Sequence, residues 1–406
     1  MSNFLKKLGP GLIFAGAAIG VSHLVQSTRA GADFGFGWIW ALLLINAIKY
    51  PFFRFAPLYT TTTGENLIDG YYKLGKWVLA FYFVMTFVTM FTIQAAVTIV
   101  TAGLAQNLFG LTDSILIWSI VITSISALLL LIGRYNILDN LMKIIVIILT
   151  ISTLIAVSVA FFKSNTSISW LQTLPTEKAG VVFLIAFLGW MPAPLDVSIW
   201  QSLWTQEKQN QIGKTFDTKQ SLFDFNIGYI GTIITGIFFL MLGALAFYGI
   251  PQTLSSNSSE FANQLIVIYK ENLGNWIGLL VGIAAFTTMF STTLTTLDAS
   301  PRAMSKTYEK FSGKIQKYQY LLWMILLSIG TILILAFFTK NMKSMVMIAT
   351  IISFITAPFY AVTNLLLVTG KNFPQNKKPS LFLTIWSVIG IILLIAFSIW
   401  YMTTLL

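Results

Sequence analysis

His23 is the only histidine in the chain, and it stands at the end of Gly20-Val21-Ser22-His23, in the middle of an otherwise apolar run. An imidazole there offers a metal ligand or a proton relay, and the commonest alternative is a hydrogen-bonded structural histidine. Gln26 follows three residues later, which on an α-helix puts the two side chains on one face. Arg29 and Asp33 come next, four residues apart and able to pair. A second set lies at Met191-Pro192-Ala193-Pro194-Leu195-Asp196. Asp196 reads as the only acid inside an apolar span, where a carboxylate is costly and is normally paired or functional. It is expected to balance Lys49, Arg29 or a cationic substrate. Lys49 reads as a cation snorkelling towards the surface, where Arg54 also sits. Hydroxyl and amide stripes complete the inventory: Thr92, Gln94, Thr98 and Thr101; Thr287, Thr288, Ser291, Thr292 and Thr295; Thr350, Ser353 and Thr356. Such groups glue membrane helices together or coordinate a small cation such as sodium, and the sequence leaves both open.

The elements that carry these residues are membrane helices. The 406-residue chain is 56% hydrophobic and only 10% charged, with a mean hydropathy of +0.79. Runs such as 144–162 carry no charge and reach about the 20 residues needed to cross a bilayer. The class is an all-α polytopic membrane protein, expected as a single integral domain over 1–406, since no loop is long enough to form a soluble one. Eleven spans are read at roughly 10–32, 37–58, 77–105, 114–133, 140–162, 180–203, 222–248, 276–297, 319–338, 343–368 and 380–403. Ser259–Leu273 reads as an amphipathic surface helix and Trp204–Ser221 as a solvated loop. Lys6 and Lys7 before an apolar run imitate a signal peptide, but the polar stripe from His23 to Arg29 and the later spans favour an uncleaved first span.

The first and sixth spans are interrupted. Glycine weakens a helix interior and serine offers its backbone competing hydrogen bonds. Pro192 and Pro194 remove two backbone donors and disfavour helix in the residues before them. Two broken spans, five spans apart, predict two inverted five-helix repeats, approximately 9–162 and 180–368, plus an extra span at 380–403. A site for a small solute then lies at mid-membrane between the breaks.

The net charge of +11 does not imply nucleic acid. With the N-terminus inside, only Lys163, Lys178, Lys270, Lys340 and Lys343 fall on the outer side. Arg29 and Lys49 lie within spans, and all other Lys and Arg fall at the N-terminus and in the inner loops. That is the positive-inside pattern, with the C-terminus outside. Zero cysteines exclude disulfides and thiolate sites. With the short loops, they suit a bacterial cytoplasmic membrane. No zinc-protease motif, phosphate loop, catalytic acid pair or nucleotide-binding domain is present, so an enzyme or a primary pump is not expected. No cofactor is expected beyond a cation carried as substrate, and the partners are the lipid bilayer and a small solute or metal ion.

Gly9-Pro10-Gly11, Phe34-Gly35-Phe36, Met191-Pro192, Ser291-Thr292-Thr293-Leu294-Thr295 and Ala357-Pro358-Phe359 together resemble the Nramp family of proton-coupled divalent metal transporters over nearly the whole chain. The resemblance implies a LeuT-like fold, an inward N-terminus and a secondary transporter working by alternating access. It also implies that Met191 is a metal ligand. The family's Asp-Pro-Gly-Asn in span 1 corresponds to Gly20-Val21-Ser22-His23, so the acid is lost and His23 stands in the second ligand position. The family's span-6 histidine corresponds to Ala193, its span-3 acids to Gln94 and Val97, and its span-10 glutamine to Thr350. The usual metal site and proton route are thus replaced. A site of Gly20, Ser22, His23, Gln26, Met191 and Asp196 remains, with His23 and Met191 as metal ligands and Asp196, Lys49 and Arg29 as charge or proton carriers. A ligand set without an acid is soft or borderline. The alternative is a LeuT-fold carrier of a small organic, amino-acid-like or anionic solute, because Ile19-Gly20-Val21-Ser22 resembles the glycine-bearing breaks that hold a carboxylate through free amides. A non-transporting sensor is the lesser alternative and has no positive feature.

Overall fold

The computed structural model describes residues 8–163, 170–212, 217–249, 255, 257–315, 317–338 and 342–405. Lys6, Lys7, Lys214 and Lys340 of the charge pattern lie outside them. In chain order the helices are α1 (Pro10–Ala18), α2 (Thr28–Phe34, preceded by a π-helical turn, Ser22–Ser27), α3 (Ile39–Thr63), α4 (Leu67–Leu74), α5 (Lys76–Phe109), α6 (Ile115–Lys163) and α7 (Lys178–Trp190). Then follow α8 (Val197–Ile212), α9 (Thr218–Phe247), α10 (Ser258–Leu273), α11 (Asn275–Ser312), α12 (Gln319–Phe338), α13 (Met342–Thr369) and α14 (Leu381–Leu405). No strand occurs among the described residues. Among the described residues nine helical stretches are long and apolar enough to cross a membrane, and α1 with the segment Ser22–Phe34, bent by 46°, makes a tenth.

α6 supplies two of those stretches, Ile115–Ile132 and Ile137–Lys163. Its first turns pack at the α5 end, where Trp118 meets Phe109, and Asn107 there reaches Ser259 of α10. Its last residue, Lys163, lies beside Gly274 at the end of α10. Its middle meets Lys208 at the opposite end of the bundle. Three long helices stop at glycines in the left-handed region, Gly64 at φ 76°, Gly110 at φ 61° and Gly313 at φ 66°, where a side chain would be strained.

Burial sorts the helices. About the same large share of α3, α5 and α9 is buried, 61%, against 22% for α12 and α14. The former surround the two breaks, and the latter form the lipid-facing rim. α10 is amphipathic as read, burying Phe261 and Leu265 and exposing Glu260, Asn263 and Lys270, whereas one loop departs from its reading. The Trp204–Ser221 loop is largely helix, because α8 runs on to Ile212 with Trp204 and Thr205 buried. Trp204 extends across to Asp298, and that contact outweighs the segment's polar composition.

Candidate functional site

The first break begins where α1 ends at Ala18, with Ile19 at ψ 88°. A helix end leaves carbonyls without partners, and α11 supplies them. Ser291 Oγ donates to the Gly16 carbonyl at 3.0 Å and Thr292 Oγ1 to that of Ile19 at 3.1 Å. Thr292 comes this close because Gly20 has no side chain; a Cβ there would collide with it. The hydroxyl stripe of α11 thus caps the broken helix. The stripe on α5 is an interhelical clasp: Thr296 donates to Gln94 at 2.6 Å, and Thr101 lies 2.8 Å from Thr293. Thr350 bonds within its own helix.

His23 is fully buried, and both ring nitrogens are engaged. Nε2 is 3.0 Å from the Thr232 carbonyl, which can only accept, so Nε2 carries a hydrogen. In the neutral ring Nδ1 then accepts from the Ser22 hydroxyl at 2.7 Å. No nitrogen faces the space between the breaks. Gln26 does not share its face: the π-helical turn Ser22–Ser27 bonds i to i+5 and shifts the register of an α-helix. His23 faces α9, while Gln26 lines a separate small cavity with Arg29, Phe183 and Lys343. Arg29 pairs with Asp33 at 3.5 Å, as their spacing predicts, and lies over the Phe183 ring.

The second break follows Trp190. α7 is held there by Trp190 Nε1, which donates to Ser353 Oγ at 2.8 Å, and by Gly189, which lies directly on the Thr350 backbone. Lys49 does not snorkel. It is fully buried, and its Nζ donates to the carbonyls of Leu188, Gly189 and Ala193 at 2.9, 2.7 and 3.1 Å. The break exposes carbonyls within reach of α3, and these outcompete the distant surface. Asp196 is 6% exposed, and its Oδ1 has no hydrogen-bond partner among the described residues. It forms no ion pair with Lys49 or Arg29 among the described residues, although Lys49 and the hydroxyls of Tyr71, Tyr82 and Tyr360 lie within its electrostatic reach.

The breaks face each other across a cavity of about 20 Å³ lined by Ala17, Ala18, Gly20, Val21 and Ser22 from one, Trp190, Ala193, Pro194 and Val197 from the other, and Ile93, Val97, Trp200, Thr292 and Thr296. That is room for about one water molecule. The candidate set is therefore divided. Gly20 and Ser22 line this cavity. Met191 and His23 lie together behind it, both against Gly236 of α9. Gln26 and Arg29 line the other cavity, and Asp196 lines neither. No group of three or more His, Asp or Glu able to hold a metal occurs among the described residues.

Asp196 is not the only buried acid in a span. Asp224 and Asp298 are more deeply buried and Asp139 equally so. Asp224 receives the amides of Gly9 and Gly11 at 3.0 and 2.7 Å, an anion at a helix N-terminus. It straddles Pro10, which has no N–H to offer. Asp298 accepts from Arg302 at 2.7 Å, Tyr320 at 2.9 Å and Trp204 at 3.1 Å. Asp139 binds Lys143 and Lys208 at 2.8 and 3.0 Å. The i,i+4 spacings of Asp298 with Arg302 and of Asp139 with Lys143 are visible in the sequence. The partners from other helices, Lys208 for Asp139 and Tyr320 and Trp204 for Asp298, are not.

The Nramp family model, described as natural resistance-associated macrophage protein-like, matches residues 11–404. The uncharacterized protein PM0681 of Pasteurella multocida (strain Pm70) is 32% identical over 400 residues, covering 97% of this chain and 90% of the relative. Among solved structures, the manganese transporter of Eremococcus coleocola, crystallised with an aromatic bis-isothiourea compound, superposes with a TM-score of 0.69 at 12% identity over 97% of this chain and 85% of its own. MhsT in complex with L-phenylalanine superposes with a TM-score of 0.65 at 13% identity, covering 96% and 98%. At such identities the likeness is one of fold, the LeuT-like transporter fold that the paired breaks predict. With the family model matched along almost its entire length, the chain belongs to the Nramp family.

Proposed function

We propose that this protein is a secondary transporter that carries a small solute across a membrane by alternating access, with its cargo bound between the two breaks. The observation that carries this reading is the meeting of Gly20 and Ser22 with Ala193 and Pro194 around one cavity. Non-helical backbone at membrane depth is tolerated where it is buried in protein or lines a cavity, and transporters build their sites from it. Family membership makes a divalent metal cation the first cargo to test. Met191 and His23, side by side behind the cavity, are the softer ligands that would replace the family's Asp and Asn. His23 must exchange the Thr232 carbonyl or the Ser22 hydroxyl for metal to join it. With Ala193 in place of the family's histidine, any proton coupling runs elsewhere.

Lys49 favours a second reading. A fixed ammonium on the Ala193 carbonyl, at the cavity wall, opposes a bare divalent ion and suits an anionic or zwitterionic organic solute. The arrangement we propose is a single domain with inverted repeats at 9–162 and 180–368 and an extra span at 380–403. α7 and α8 form the eleventh crossing, with the N-terminus cytoplasmic and the C-terminus outside, in a bacterial cytoplasmic membrane.

The test is uptake of manganese into proteoliposomes beside Met191→Ala. Saturable uptake that the variant loses supports the metal reading. No uptake by well-folded protein, with a carboxylate-bearing solute raising Tm in a ligand screen, moves the assignment to the organic solute.

A further inference from the structure

The sequence around the second break creates acceptors that no backbone amide can serve. In an α-helix the carbonyl of residue 188 accepts from the amide of residue 192, and that residue is Pro192, which has none. The Gly189 carbonyl looks to residue 193, where the chain has already left the helix, since α7 ends at Trp190. The last carbonyls of a helix also carry the negative end of its dipole. Oxygens of this kind, released by an unwound span, are what transporters use to coordinate a soluble cation. Here Leu188, Gly189 and Ala193 converge on one point, and Lys49 Nζ occupies it, within 3.1 Å of all three. Three carbonyls require three hydrogens, which is the complement of an ammonium and of no neutral side chain of that length. Lys49 makes no ion pair among the described residues, so these dipoles are its direct partners. Asp196 lies within electrostatic reach of it but forms no ion pair with it.

We propose that this is a three-carbonyl cation site filled by the protein's own ammonium, and that Lys49 is a tethered cation standing where a soluble one would otherwise bind. The occupant is covalently attached, so the break keeps its shape without sodium, potassium or a metal at this point. The fixed charge adjoins the cavity through Ala193, and any cargo meets it there. The proposal holds whichever solute the cavity takes, and its test needs no transport.

Removing the side chain should convert the site into one for small primary ammonium ions. Purified Lys49→Ala is compared with wild type by Tm and by recovery as a monodisperse species. Each is measured in ethylammonium, sodium and tetramethylammonium chloride at equal ionic strength. Lys49→Ala should lose stability, and ethylammonium should restore at least half of the lost Tm, or the monodisperse yield if the variant aggregates. Tetramethylammonium, which has no N–H, should restore neither, and wild type should respond to none of the three. Lys49→Met, of similar length and without donors, should be destabilised and not rescued, because its side chain still fills the path. The proposal is overturned if ethylammonium does no better than tetramethylammonium with Lys49→Ala, or if Lys49→Met is as stable as wild type.

Discussion

His23 holds two partners on different elements, the Ser22 hydroxyl beside it and the Thr232 carbonyl of α9. Alanine at this position leaves a buried carbonyl and a buried hydroxyl to find new partners, a loss of about 1–3 kcal/mol per unsatisfied group. We expect His23→Ala to lower Tm in detergent without metal present, and His23→Gln, which can donate to the carbonyl, to recover part of the loss. A Tm unchanged by alanine would mean that the ring is not structural. That the lone histidine stands at a helix break is evident from residues 20–23. That its nitrogens are occupied is not, because Thr232 is 209 residues away in the chain. Lys49 gives the same lesson in reverse. Its position in the span reads as near enough to a surface to snorkel, but the carbonyls freed by Pro192 lie closer.

Among the elements, α1 and α9 cross with almost no side chain between them. A Cβ on Gly11 would run into the backbone of Asp224, and one on Gly228 into the carbonyl of Gly11. The Gly9-Pro10-Gly11 segment is therefore a packing device: Gly11 lets α9 approach, and Asp224 closes over the amides of Gly9 and Gly11. Gly11→Ala must separate the helices or bend one, and overpacking of this kind costs about 1–3 kcal/mol. The expected result is a lower Tm together with lost uptake. Gly231→Ala, on the same helix with nothing within 4 Å of its Cβ, should be neutral or slightly stabilising, since alanine is the better helix former. Equal behaviour of the two variants would refute the close-approach argument. The segment was legible as a motif; its physical purpose needed the neighbouring helix.

At the scale of the whole molecule, one end of the bundle is cross-linked by buried charge. Asp139 of α6 holds Lys208 of α8, which lies against Gly9 at the start of α1. Asp298 and Glu207 hold Arg302. Under the alternating access proposed above, such an end must open, and we expect these contacts to hold it closed. Asp139→Asn leaves Lys143 and Lys208 around a neutral amide, and breaking a buried pair costs about 3–5 kcal/mol. The chain has no cysteine, so Ala17→Cys at the cavity wall gives a clean probe. We expect Asp139→Asn to speed its modification by a hydrophilic thiol reagent severalfold. An unchanged rate would show that this network does not close the path.

Composition and hydropathy determined the class of this protein, because 56% apolar residues in 406 leave no fold but a bundle of membrane helices. Glycine and proline at residues 20, 192 and 194 located both breaks, since their backbone limits act wherever the residues sit. These are local causes, and sequence carries local causes directly. Only the tertiary structure decided which oxygen each buried charge would meet. The helix register around the π-helical turn separated His23 from Gln26, and the packing of α3 against α7 brought Lys49 onto three carbonyls. The approach of α9 gave Asp224 two glycine amides. Buried polar groups must be paired, and in a helix bundle their partners come from whichever helix packs alongside, which the order of residues along the chain does not state.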